Sequence, residues 1–416
     1  MPTTALVLAG GGARGAYEAG ALSVILPELD RRGERPTIYV GTSVGALNAG
    51  ALAASQHLPV EEQVETVVAT WRALRKSDVI RPILLRTGPL DVLKYAGQLL
   101  KLPRVRLRSV LDPAPLWESL PRMIDFDRIH DNVASGAVDA LACVTTSART
   151  GRTVVFVESA AERQFHRSHA VAYVPAQIEV EHVGASAAIP LLWPPVLIER
   201  PARARGWYVD GGTRLNAPIK PALDLDADRL VVAAVDSIEG PVMGGGEQSG
   251  ELPPPDFGDG MLHLLEGALV DPLIEDMRTL GNVNAFFAEG GTLGATLYRT
   301  ARGKAPYKRV PYIFVGPARR GAIGVLASQV YDRRYGRLGA LRDPDFVLLN
   351  ELLGGVSENQ WELLSLLFFD EGFIEQLITM GRDDAMVWLE SEHDGEGPWQ
   401  IGPLGTFTRP RQWTAG

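Results

Sequence analysis

An α/β fold with a mainly parallel sheet is what the sequence predicts, on three observations. Strand-like and helix-like runs alternate over residues 4–54; the first two strand-like runs each end in a glycine-rich corner; and short β-branched runs recur downstream between helical stretches. The run "TALVLA" (residues 4–9) reads as the first strand, followed by a helix with Leu22, Ile25, Leu26 and Leu29 on one face. "TIYV" (37–40) reads as the second strand, and the small residues after Ser43 as the second helix. Parallel strands need a crossover between them, so this βαβα order implies a parallel sheet covered by helices.

Further along, "ALACVTT" (140–146), "TVVFVES" (153–159), "RLVVAAV" (229–235) and "VPYIFVG" (310–316) read as more strands of the same or an adjoining sheet. Residues 236–260 are rich in Gly, Pro and acid and read as a mobile loop. Beyond it the chain turns mainly helical. Leu262, Leu265, Leu269, Leu273 and Leu280 fit a 3.6 period that Pro272 breaks or restarts, and Ser357 to Gln360 offers a capping box ahead of "WELLSLLFF" (361–369). These helices are expected to complete the core rather than form a separate module. The organisation expected is a core over 5–235, the loop 236–260, a mainly helical part over 261–390 packed on the core, and a tail from Ser391 (391–416) ordered only by packing, with no internal repeat.

Composition narrows the function classes. With 41 basic against 50 acidic residues in 416, a nucleic-acid partner is not expected. Cys143 is the only cysteine, which excludes an internal disulfide and a cysteine-based metal site. The first residues lack a basic region ahead of an apolar one, so the expected address is the cytoplasm. "AIPLLWPPVLI" and "LLSLLFF" are too short or too proline-broken to span a bilayer, which takes about 20 apolar residues. Residues 79–108, however, carry seven basic residues against Asp91 alone, interleaved with Leu, Ile and Pro. Such a segment suits either peripheral contact with an anionic surface, here the inner membrane face, or a solvated cover over the sheet edge.

Two motifs carry the chemistry of the N-terminal half. In "LVLAGGGARGAYEAG", Gly10, Gly12 and Gly15 satisfy G-x-G-x-x-G between a strand and a helix. A dinucleotide site would also want an acid closing the second strand, where this chain has Gly41-Thr42-Ser43. The other use of the glycines is an oxyanion hole, with backbone N–H groups of Gly11 and Gly12 pointing at developing negative charge at a helix N-terminus. The second motif, "GTSVG", sets Ser43 at a strand-to-helix corner, the layout of a nucleophile elbow. Because neighbouring parallel strands open at the same sheet edge, the two corners should lie side by side. A serine needs a proton acceptor. None of His57, His130, His166, His169, His182, His263 and His393 stands in a convincing catalytic context. Asp210, at the end of the apolar run in "ARGWYVDGGTRLNAPIKPA", is the better partner if burial raises its pKa.

Taken together and in this order, "GGGARG", "GTSVG" and "DGG" resemble the patatin-like phospholipase family. The segments "TTSARTGRTVVF", "GASAAIPLLWPPV", "VDGGTRLNAPIKPAL" and "LLSLLFFDEGFIEQLITMGRDDA" extend the resemblance over most of residues 5–385. It implies a three-layer α/β fold with a helical C-terminal extension, and a serine acyl hydrolase working through a Ser-Asp dyad on lipid esters. Ser43 would be the nucleophile and Asp210 its proton acceptor. Gly10, Gly11, Gly12, Ala13, Arg14 and Gly15 would form the oxyanion loop, with Arg14 bracing it in preference to contacting phosphate. Gly41, Gly45, Gly211 and Gly212 complete the motifs, which depart nowhere from the family pattern. The resemblance implies no metal and no organic cofactor.

Two other classes compete: a lipid-binding or scaffold protein on the same fold, against which an intact Ser43 and Asp210 argue, and a nucleotide-dependent enzyme using the glycine loop, which lacks its ribose acid. Neither acyl position, head group, chain length nor oligomeric state is encoded in these motifs.

Overall fold

The computed structural model describes residues 2–82, 111–163, 165, 171–190, 192–237, 271–288, 308–335 and 360–404, with isolated positions between 293 and 301. The N-terminal half runs β1 (Thr4–Leu8), α1 (Gly15–Arg31), β2 (Ile38–Thr42), α2 (Val44–Ala54), α3 (Val60–Ala73), α4 (Lys76–Val79), β3 (Arg81–Pro82), β4 (Leu111–Asp112), α5 (Ala114–Met123), α6 (Phe126–Ala134), β5 (Ala140–Ser147), β6 (Thr153–Glu158) and β7 (Val171–Pro175). It continues with α7 (Val180–Ser186), β8 (Val196–Ile198), β9 (Gly206–Asp210), α8 (Ile219–Asp224), β10 (Arg229–Ala233), α9 (Asp271–Ala288), β11 (Tyr312–Val315), α10 (Ala322–Arg334), α11 (Gln360–Ser365) and α12 (Glu371–Glu390).

One nine-stranded sheet organises these elements in the order β11-β10-β1-β2-β5-β6-β7, with β9 joined to β5 and β8 to β9. The pairs from β11 through to β5 are all parallel, as the βαβα pattern predicts. Every residue of β1 and β2 is buried, because helices cover the sheet and leave neither face to water. Antiparallel pairing enters on one side only: β5 turns back on itself into β6, and β9 also runs against β5. The turn after β5 closes through the Gly151 N–H on the Ser147 carbonyl (2.8 Å) with Gly151 at φ 65°. Strands β7 and β8 carry no clear alternation in the sequence; both are short and only partly buried.

The C-terminal part belongs to the same core. β11 extends the sheet beside β10, and α12 lies along α1. That crossing is tight: a Cβ on Gly20 would sit 2.1 Å from the Ile378 carbonyl oxygen, and one on Gly381 would sit 2.1 Å from that of Tyr17. Tyr17 and Arg382 fix the register by hydrogen bonds to Asp384 (2.9 Å) and Ser23 (2.9 Å). The described part of the tail is held by packing too, since Gln400 bridges to Tyr312 and Trp399 is buried with its indole N–H on Glu34 (2.9 Å).

Other expectations meet the structure in part. Helix α9 begins at Asp271, with Pro272 in its first turn where a missing N–H is harmless, and it buries Leu273 and Leu280. Leu262, Leu265, Leu269, the cap residue Ser357, the loop beyond Ser237 and the basic segment beyond Pro82 lie outside the described residues. The apolar run 361–369 is not one helix: α11 ends at Ser365, and Asp370 starts α12 by accepting the N–H groups of Gly372 (2.8 Å) and Phe373 (3.1 Å).

Candidate active site

β2 passes into α2 through a single residue. Ser43 takes φ 55° and ψ −124°, a left-handed conformation rare for a residue with a side chain, and this turn lifts its hydroxyl above the sheet edge. The corner can be this sharp because Gly41 and Gly45 carry no side chain: a Cβ on either would come within 2.2 and 2.3 Å of the Gly45 and Leu8 carbonyl oxygens respectively. A further residue pins the turn. The Ser43 N–H donates to Ser186 Oγ (2.8 Å), and that hydroxyl donates to the Val144 carbonyl (2.6 Å).

Asp210 reaches Ser43 because β5 is longer than β2. Thr42 stands opposite Val144, and Asp210, arriving on the antiparallel β9, stands opposite Thr145. With β6 occupying the other edge of β5, β2 and β9 meet end to end on one edge, and their terminal residues face each other. The Asp210 carboxylate accepts the Gly212 N–H (2.7 Å), and the Ser43 side chain stands close enough to favour its charged form. Gly211 lets this turn sit against β5, since a Cβ there would fall 2.5 Å from the Val144 carbonyl oxygen. Asp210 is 4% exposed, and burial pushes its pKa up to about 7 against the Ser43 side chain and the Gly212 N–H, which favour the charged form.

The glycine loop lies beside them. Gly10 is held by Asn216, whose side chain accepts its N–H (3.0 Å) and donates to its carbonyl (3.3 Å). The Ala13 N–H is taken by the Leu366 carbonyl (2.9 Å). The N–H groups of Gly11 and Gly12 meet no protein acceptor among the described residues, and Gly12 also lines the cavity above Ser43. Gly12 needs its freedom twice over, for its φ of 56° and for the Leu366 carbonyl oxygen 2.1 Å from where a Cβ would be. Gly15 opens α1 against Trp71 and Val44. Arg14 is buried beneath the loop, bonded to Ser365 Oγ (2.8 Å), Glu362 Oε2 (2.5 Å) and Asp236 (3.5 Å). The glycine loop of the N-terminal half is therefore held by residues of α11 and the turn after it.

Above Ser43 lies an apolar cavity of about 40 Å³ walled by side chains that include Leu47, Trp71, Leu116, Ile189, Trp193 and Phe369. The segment "ASAAIPLLWPPVLI" contributes Ala187, Ile189 and Trp193 to this wall. Beneath Trp71, its indole N–H reaches Asn48 (2.9 Å), which donates in turn to Glu18 (2.8 Å) and to the Gly15 carbonyl (3.1 Å). Full burial holds the Glu18 carboxyl well above its ordinary pKa, against the Asn48 hydrogen bond that favours the charged form. The described histidines are engaged elsewhere: His130 with Glu158 (2.7 Å), His57 with Asn132 (3.4 Å), His393 with the Trp388 carbonyl (2.8 Å), and His182 with the Glu179 N–H (3.0 Å). No cluster of metal-ligating side chains occurs among the described residues.

Sequence reasoning singled out Ser43, Asp210 and the glycines but passed over Ser186, Asn216, Ser365, Glu362 and Phe369. Ser186 and Asn216 lie inside quoted segments, where a polar residue amid small or apolar ones was the available signal. The three C-terminal residues stand in an ordinary helical pattern.

The family model described as patatin-like phospholipase matches residues 6–223, more than half of the chain. The chain belongs to that family. Membership of the patatin-like phospholipases supports a lipid acyl hydrolase function. Curated protein sequences give no match. Among solved structures, VipD from Legionella pneumophila is 14% identical with a TM-score of 0.33, over 92% of this chain and 88% of its own. Human GIVD cytosolic phospholipase A2 is 12% identical with a TM-score of 0.33, over 92% of this chain and 60% of its own. Within this patatin-like chain no described helix is long and apolar enough to cross a membrane.

Proposed function

We propose that the protein hydrolyses carboxylic esters of lipids through a Ser43–Asp210 dyad and an acyl-enzyme. The observation that carries this reading is the buried Asp210 carboxylate, its pKa raised to about 7, beside a strained Ser43 that lines an apolar cavity. In the first step Ser43 Oγ attacks the ester carbonyl while its proton passes to Asp210. The carbonyl oxygen, now carrying the charge, is met by the N–H groups of Gly11 and Gly12 and by the positive ends of α1 and α2. Collapse of the tetrahedral intermediate breaks the bond to the alcohol, which leaves with the proton from Asp210. Water then attacks the acyl-enzyme, giving its proton to Asp210, which returns it to Ser43 as the fatty acid departs. Arg14 serves as a brace for the loop.

The test is covalent labelling with a fluorophosphonate beside hydrolysis of a short-chain ester. Labelling is expected at Ser43, absent in Ser43→Ala and much slower in Asp210→Asn; a folded, unlabelled and inactive wild type would replace this reading with a lipid-binding protein. NAD or ATP is expected to leave the thermal midpoint unchanged. The basic-apolar composition of residues 79–108 supports peripheral contact with anionic lipid. Charge reversal at Arg104, Arg106 and Arg108 is expected to weaken binding to anionic vesicles while sparing hydrolysis of a soluble ester.

A further inference from the structure

The cavity over Ser43 poses a problem of volume. At about 40 Å³ it holds little more than one water molecule, whose share of liquid volume is ~30 Å³, so an acyl chain esterified to Ser43 has to leave it. A second pocket, of about 360 Å³, lies on the far side of its wall. Leu116, Ala187 and Trp193 line both spaces, so these three residues form a wall common to the two.

We propose that this second pocket, between the start of α5, helix α7 and strand β8, is the acyl-chain subsite, with Trp193 and Leu116 as its inner gate. The inference rests on Ser43 being the acylated residue. Among the described residues its lining is apolar apart from Glu181, whose carboxylate is unsuited to a phosphate head group. Its other walls include Trp117, seated on the bare backbone of Gly184, and Leu197, whose register partner on β9 is the exposed Trp207. At the junction, the buried Trp193 indole N–H has no acceptor, a donor left over in a wall that is otherwise hydrocarbon. An ester or carboxyl oxygen entering between the two spaces satisfies it. Taking a methylene as roughly water-sized, 360 Å³ accommodates about a dozen carbons, so the pocket selects medium acyl chains.

The full-length protein is assayed on p-nitrophenyl butyrate, hexanoate, decanoate and palmitate. The wild type is expected to gain up to about fourfold in kcat/KM per added methylene until the pocket is full, and then to lose. Leu197→Trp fills the pocket and Trp117→Ala enlarges it; loss of stability alone does not move a chain-length optimum in opposite directions. The decanoate-to-butyrate ratio is expected to fall about tenfold or more in the first, and the optimum to shift towards palmitate in the second. Three superimposable profiles overturn the proposal. Independently of turnover, Ser43→Ala titrated with dodecanoate is expected to bind it saturably, and about tenfold more weakly with Leu197→Trp added; absence of saturable binding also overturns it. Esterase activity surviving intact in Ser43→Ala would instead overturn the dyad and leave the titration to judge the pocket.

Discussion

In the proposed mechanism Asp210 acts as a base only when ionised, and its burial sets the pH at which that happens. Activity is expected to rise through pH about 7 as the carboxyl ionises. Stability runs the other way. Between its ordinary 3.8 and about 7, folded Asp210 keeps a proton the unfolded chain has released, so its contribution is full at low pH and is lost as pH rises through about 7. Asp210→Asn, uncharged throughout, is therefore expected to lose ~10²–10⁴-fold in acylation rate and to unfold at higher urea than wild type above pH 8. Ser186→Ala tests the pin of the elbow: it leaves the Ser43 N–H unpaired and is expected to cost about 1–3 kcal/mol in urea unfolding, with slower labelling of Ser43. The Ser43 corner was legible because a strand, a serine between glycines and a helix must turn locally. Ser186 was not legible in its role, since its partner lies on another element.

At the scale of elements, the loop over residues 10–15 is a junction between two halves of the chain. Gly12→Ala adds strain of ~1–3 kcal/mol at a positive φ and pushes on the Leu366 carbonyl, so it is expected to reduce both the unfolding midpoint and the acylation rate. Ser365→Ala, which touches no substrate, removes one partner of the buried Arg14. It is expected to lower kcat roughly tenfold with KM nearly unchanged, because the proposed oxyanion donors shift while the proposed acyl subsite does not. Parallel order from β11 to β5 was readable from strand–helix alternation. The antiparallel β9, which delivers Asp210, was visible only as an apolar run ahead of "DGG", because pairing direction is set by the path of the chain.

Across the whole molecule, the family region 6–223 packs against C-terminal elements. α12 covers α1 at a glycine-to-backbone crossing, Phe369 walls the cavity, and β11 closes one side of β10. Gly381→Leu forces α1 and α12 apart and is expected to destabilise by ~1–3 kcal/mol or more, read from urea unfolding. A chain ended at residue 235 exposes the α1 face and lacks the Leu366 and Ser365 contacts. It is expected to give no fluorophosphonate labelling despite containing both dyad residues.

The sequence by itself determined the α/β alternation, the elbow at Ser43, the glycine loop and the aspartate beside a Gly-Gly pair, since each rests on backbone freedom or periodicity within a few residues. Tertiary structure alone decided that β2 and β9 meet on one edge of β5, that α11 and its turn hold Arg14 and Ala13, and that Trp193 stands between a small cavity and a larger one. Those arrangements join residues far apart in the chain, and only burial, which raises the Asp210 carboxyl towards neutrality, turns their adjacency into chemistry.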